Sequence, residues 1–123
     1  MRVLIADDDR ELASAIASYV RHCNENVVAT VTTGGIDVAH SVERFMPDII
    51  LMDIVMPRIN GLTICHHILS RFPKTRIILF SGKLHARHPD VISSGASAFL
   101  SKPIKLAELR RVMEEIVKGA KAA

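Results

Sequence analysis

The chain has 123 residues, 49% hydrophobic and 24% charged, with a formal net charge of +3. That length and usage fit one globular domain able to bury a core, and no low-complexity tract, repeat or linker divides it. No apolar run approaches the roughly 20 residues that a membrane-spanning helix needs and no cleavable leader is legible, so a cytoplasmic protein with no membrane partner is expected.

The positive excess is local. Residues 102–123 carry Lys102, Lys105, Arg110, Arg111, Lys118 and Lys121 against Glu108, Glu114 and Glu115. With a single Tyr, no Trp and no RNA- or DNA-reading motif, this reads as a solvated helix face rather than a nucleic-acid footprint. Cys23 and Cys65 match neither a disulfide framework nor a metal spacing and read as free thiols.

In chain order, Arg2-Val3-Leu4-Ile5-Ala6 is an apolar strand that runs into Asp7-Asp8-Asp9. Leu12, Ile16, Tyr19, Val20 and Cys23 then recur at helical spacing, and Val27–Val31 reads as a short strand. Thr33-Gly34-Gly35 signals a turn and helix cap. A weaker helix carrying Val38, Ala39, Val42, Phe45 and Met46 stops at Pro47, which disfavours helical geometry in the residue before it. The buried strand Asp48-Ile49-Ile50-Leu51-Met52 delivers Asp53.

Gly61 opens a helix with Leu62, Cys65, Ile68, Leu69 and Phe72 on its apolar face, closed by Pro73. Arg76–Ser81 is a fourth strand. Segment 82–95 is irregular, since Gly82, Pro89 and Gly95 leave room only for a short helix around Asp90–Ser94. Ala98–Ser101 makes a fifth strand. Leu106, Leu109, Val112, Met113, Ile116 and Val117 mark a final amphipathic helix.

Five apolar strands joined by helical crossovers predict a doubly wound α/β fold, a five-stranded parallel sheet with helices on both faces. In such sheets the functional crevice lies at the carboxyl ends of the strands. Asp7, Asp8, Asp53, Ser81 and Lys102 all fall at or just past those ends. Crowded carboxylates repel unless a hard divalent cation and a lysine compensate them. Mg2+ suits such a site, being held by one or two carboxylates and a phosphate. An Asp so placed can attack phosphorus, with Lys102 and the Ser81 hydroxyl on the phosphoryl oxygens.

Taken singly, each residue has a plainer reading. Asp7, Asp8 and Asp9 could form a helix-capping turn, and Asp9 is read as only that. Asp53 could start a loop, Ser81 a turn, and Lys102 could be a solvated charge. Phe99 could be a core strand residue. It is their convergence on one sheet edge that favours chemistry.

The chain resembles the receiver domains of two-component response regulators over residues 2–118. Val3–Asp9 resembles the first strand with its acidic pair, and Asp48–Pro57 resembles the phosphoacceptor strand and loop. Gly61-Leu62 fits the following helix start, and Ser81-Gly82 resembles the family's Ser/Thr with a small residue. Gly95–Pro103 resembles the fifth-strand signature. The resemblance implies a receiver domain over 1–118, with 119–123 a tail or the start of a linker.

It also implies the flavodoxin-like strand order 2-1-3-4-5. By position it implies Asp53 as phosphoacceptor, and Asp7 and Asp8 as the Mg2+-binding acidic pair. Val55 would be a ligand through its backbone carbonyl. Ser81 and Lys102 would contact the phosphoryl group and Phe99 would be the aromatic switch. Val55 and Lys83 match the positions that tune dephosphorylation.

The implied partner is a sensor histidine kinase or a histidine phosphotransfer protein. A fused or separate effector would be reached through the fourth helix, fifth strand and fifth helix. A homodimer is left open, and no direct nucleic-acid binding is expected. The domain would catalyse only its own phosphorylation and dephosphorylation, as a signalling module rather than a metabolic enzyme. The implied strand order also puts Cys23 and Cys65 on opposite faces of the sheet, out of reach of a mutual disulfide.

The departures are local. Gly82–Pro89 is unusual for that family, with Pro89 near the start of the fourth helix, and Asn60 stands where Asp is frequent, outside the proposed pocket. His85 and His88 read as a solvated loop, and the adjacent His66 and His67 cannot share a helix face. Alternatives are a Mg2+-dependent phosphohydrolase with an aspartyl nucleophile, although Val55 stands where such enzymes carry a second acid. A flavin-binding module is opposed by the anionic Asp7-Asp8-Asp9. A phosphorylation-independent scaffold would keep the fold and discard the chemistry.

Overall fold

The structure is a computed structural model that describes residues 1–32, 37–57 and 59–122. The chain runs β1 (Arg2–Ala6), α1 (Arg10–Cys23), β2 (Val28–Thr32), α2 (Val38–Phe45), β3 (Ile49–Asp53), β4 (Val55–Met56) and β5 (Ile59–Asn60). It continues with α3 (Gly61–Arg71), β6 (Arg76–Ser81), α4 (Pro89–Ile92), β7 (Ala98–Ser101) and α5 (Leu106–Ala122). The expected turn at Thr33-Gly34-Gly35 lies outside the described residues.

Five strands form one parallel sheet in the order β2-β1-β3-β6-β7, the expected 2-1-3-4-5 once the two-residue strands β4 and β5 are set aside. β1 and β3 are central and covered on both sides, which is why they read as unbroken apolar runs: Val3, Leu4, Ile5 and Ala6 are wholly buried, and all five residues of β3 are buried. Period-two alternation then sorts their side chains. Val3, Ile5, Ile49 and Leu51 pack with Ile16 and Val20 of α1 and Leu109 and Met113 of α5. Leu4, Ala6, Ile50 and Met52 face the other way, onto Val42 of α2, Cys65 and Ile68 of α3, and Val91 of α4. Helices therefore cover both faces, as expected.

The helix ends follow local chemistry. Asp9 caps α1 by accepting from Leu12 N at 3.1 Å. Asn60 caps α3, its Oδ1 accepting from Leu62 N at 2.8 Å, a structural role the sequence reading did not assign to it. Arg71 near the end of α3 pairs with Glu43 of α2.

Three details differ from the sequence-based expectations. Met46, counted on the apolar face of α2, terminates that helix in a left-handed conformation and is 57% exposed, because the chain reverses there before Pro47. Leu106, counted on the apolar face of α5, is exposed at its first turn. β4 and β5 form an antiparallel ribbon between Asp53 and α3 that is too short to leave a sequence pattern. Between β6 and β7 only the single turn of α4 is helical, and Gly95 turns the chain into β7 with φ of 84°.

Candidate functional site: an acidic pocket at the carboxyl edge of the sheet

Strand register alone brings the chemistry together. Ala6 pairs with Met52, so Asp7 and Asp53 leave neighbouring strands side by side. Asp53 pairs with Phe80, which places Ser81 one residue further along on the other flank. Ser81 pairs with Ser101, and Lys102 follows, its backbone N–H donating to Ser81 O at 2.9 Å. Four segments thus deliver their polar residues to one edge.

At the centre, Lys102 Nζ donates to Asp53 Oδ2 at 2.8 Å and to Asp7 Oδ2 at 3.1 Å. Both carboxylates are almost fully buried, Asp7 at 0% and Asp53 at 4% exposure. Carboxylate oxygens of Asp7, Asp8 and Asp53 lie within 4.8 Å of one another, with Asp8 on the solvent side. The second oxygens are also held: Asp7 Oδ1 accepts from Asp9 N at 2.9 Å, and Asp53 Oδ1 accepts from Val55 N at 3.0 Å. No buried side-chain polar atom among the described residues lacks a partner.

Electrostatics follow from this packing. Burial pushes the Asp7 carboxyl up, and the nearby Asp53 charge adds to the rise; the Asp9 N–H and Lys102 offset it only in part. For Lys102, burial acts downward, yet hydrogen bonds to Asp53 and Asp7 together outweigh it and raise the ammonium above its ordinary value. Lys102 therefore stays charged while one of its carboxylate neighbours is under strain. Among the described residues the ammonium pairs with two of the three acids, and the cluster keeps an excess of negative charge on hard oxygen donors, which fits Mg2+.

Ser81 is 1% exposed and its Oγ accepts from Lys83 N at 3.0 Å and Leu84 N at 3.2 Å. Val55, next to Asp53, is 44% exposed. Phe99, paired with Leu79, is half-buried against the apolar cluster on the α3 side.

Gly61 packs against the backbone that follows β3, its N–H donating to Ile54 O at 2.8 Å. A Cβ there would sit 2.5 Å from Asp53 O and 2.7 Å from Ile54 Cα. Sequence reasoning took Gly61 only as a helix start and missed this close approach. It also missed Phe80, whose ring lies 5.3 Å beneath the Lys102 ammonium; its place opposite Asp53 in the strand alignment was the available signal. Among the described residues no histidine joins a metal-ligating cluster, and His88 instead caps α4 by accepting from Asp90 N at 3.2 Å.

The family description "response regulator receiver domain" matches residues 3–114. The chain is 30% identical over 122 residues to the chemotaxis protein CheY of Listeria monocytogenes, covering 98% of this chain and 99% of that one. It is 26% identical over 113 residues to a protein-glutamate methylesterase/protein-glutamine glutaminase of Nitrobacter hamburgensis, covering 89% of this chain but only 29% of that protein. The chain thus spans less than a third of the methylesterase relatives it matches. In fold it superposes on the signal receiver domain of a DNA-binding response regulator from Colwellia psychrerythraea with a TM-score of 0.88 and 21% identity, covering 96% and 98% of the two chains.

Proposed function

Because this chain belongs to the response regulator receiver domain family, we propose that it works as a phosphorylation-dependent signalling switch whose Asp53 accepts a phosphoryl group from a histidine kinase or phosphotransfer protein. The observation that carries this reading is the buried meeting of Asp53 with Lys102 and Asp7.

Mg2+ would be held by the carboxylates of Asp7, Asp8 and Asp53 and by the Val55 carbonyl. When bound, it supplies charge neutralisation at the phosphoryl oxygens. An Asp53 oxygen forms the new bond to phosphorus as the donor's P–N bond breaks and its imidazole leaves with the electron pair. Lys102 already touches Asp53, so a small swing of its ammonium meets the developing phosphoryl charge. Ser81 Oγ accepts two backbone N–H bonds, which leaves its hydroxyl proton free to donate to a phosphoryl oxygen.

Ser81 drawn toward that group would pull on Lys83 and Leu84 and loosen the packing around Phe99. A pre-existing two-state equilibrium would shift, changing the surface of α4, β7 and α5 toward an effector or a second copy. The domain would act in the cytoplasm and catalyse only its own modification. Among the described residues no helix is long and apolar enough to cross a membrane.

Intact-mass measurement after incubation with acetyl phosphate and Mg2+ tests the assignment. One phosphoryl adduct is expected on the wild type and none on Asp53→Ala. Undiminished labelling of Asp53→Ala would overturn it, and turnover of a generic phosphoester would favour the phosphohydrolase instead.

A further inference from the structure

Opposite the acidic pocket, at the edge where the strands begin, the last turn of α1 and the second half of α5 enclose a hollow of about 290 Å³. Tyr19, Val20 and Cys23 form one wall and Met113 and Val117 the other. A second hollow, about 460 Å³, shares Met1 and Val117 with the first and is edged by Lys74 and Arg76. The first volume stands at the lower limit of small-ligand sites, roughly 300–1,000 Å³.

The charges at the rims do not cancel. At the first hollow Glu114 is taken up by Arg110 at 3.2 Å, while at the second Asp48 keeps its charge, its carboxylate accepting from the neutral Arg2 N–H at 2.8 Å. Lys118 at the first hollow, and Lys74 and Arg76 beside Asp48 at the second, make no ion pair among the described residues. An apolar interior with polar tips from Tyr19 and Cys23 beneath the unpaired Lys118 matches one ligand chemistry, a slender aliphatic body bearing an anionic head.

We propose that the hollow between α1 and α5 binds a small, freely soluble anionic amphiphile, with its alkyl chain between Val20 and Val117 and its carboxylate at Lys118 on the rim. The site is a second, chemical input to the domain, independent of the phosphoacceptor pocket, so its failure would leave the assignment of Asp53 untouched. Cys23 in the wall is a built-in reporter of occupancy.

Three probes of equal chain length separate the terms: octanoate, octan-1-ol and octylammonium, each titrated into the full chain and followed by amide chemical shifts and by the rate of Cys23 alkylation. Octanoate is expected to shift the amides of Tyr19, Cys23, Met113 and Val117 and to slow alkylation several-fold. Octylammonium should do neither, and octan-1-ol should bind more weakly than octanoate. Lys118→Glu, an exposed change that leaves the interior intact, should weaken octanoate about tenfold, and added salt should weaken it in the wild type. Val117→Trp should fill the hollow and abolish binding.

Equal binding of octanoate and octylammonium, shifts confined to another surface, or no effect of Lys118→Glu would each overturn the proposal. Co-sedimentation of the protein with phosphatidylglycerol vesicles would also overturn it, by making the surface a lipid contact rather than a site for a free molecule.

Discussion

The Lys102 ammonium lies 2.8 Å from the Asp53 carboxylate, although 49 residues separate them in sequence. Because the same ammonium also reaches Asp7, it is, among the described residues, the one cation paired with these two nearly buried acids. Lys102→Ala would leave those acids facing each other, and such an unpaired arrangement costs about 3 kcal/mol. Urea denaturation of metal-free protein at pH 7 should show that loss, with slower phosphorylation by acetyl phosphate in the same variant. Unchanged stability would mean that the pair is dispensable for the fold.

Asp7 makes the metal-free protein sensitive to pH in a definite direction. Burial raises its folded carboxyl above the ordinary value of 3.8, so the folded state holds that proton more tightly than the unfolded chain. The stabilisation from the bound proton is complete below the unfolded value and is lost as pH rises through the higher folded one. Subtracting the Asp7→Asn stability curve from that of the wild type should isolate this fall, with a slope no steeper than about 1.4 kcal/mol per pH unit. Mg2+ should raise the wild-type melting temperature at pH 7 and do so far less in Asp7→Asn or Asp8→Asn.

Gly61→Ala should be costly although the residue never touches a substrate. The added methyl would meet Asp53 O and Ile54 Cα, both backbone atoms that cannot rotate away. Overpacking of this kind costs about 1–3 kcal/mol, and here it should also displace Asp53 and slow its labelling. Alanine at the exposed Gly119, where a Cβ meets nothing within 4 Å, is the control.

The two thiols should differ sharply in reactivity. Burial pushes the Cys65 thiol up to about 11, and its sulfur faces Ser94 O at 3.5 Å, whereas Cys23 is half-buried at the end of α1. Iodoacetamide at pH 8 should modify Cys23 in the native protein and reach Cys65 only after denaturant is added. Peptide mapping by mass spectrometry reads the order directly, and the reverse order would contradict the packing of α3.

Why much of this was legible in the sequence is a matter of symmetry and repetition. A strand covered on both faces must be apolar at every position, so β1, β3 and β6 stood out, and the acids and hydroxyl at their ends stood out against them. Contacts that depend on the absence of a side chain leave no such trace: at Gly61 the informative atom is the one that is missing. The β4–β5 ribbon is too short for any period to show. Met46 and Leu106 fit their helical stripes, yet each sits at a helix end, where the chain direction rather than the period decides what is covered. The Asn60 cap went unread even though Gly61 was taken as the start of α3, because the cap lies in the turn of one side chain back onto the Leu62 N–H.

The brevity of α4 governs how cheaply the domain could be rearranged. Its four residues amount to one turn, held by the His88 imidazole at its start and by Ser93 N bonding back to Pro89 O at its end. A single turn has little of the cooperativity that longer helices gain by propagation, so dismantling it forfeits few bonds. The stretch that links β6 to β7 is therefore a weak spring beside a stiff sheet: modest work done at Ser81 could be converted there into a large displacement, and the exposed Ile92 would travel with it.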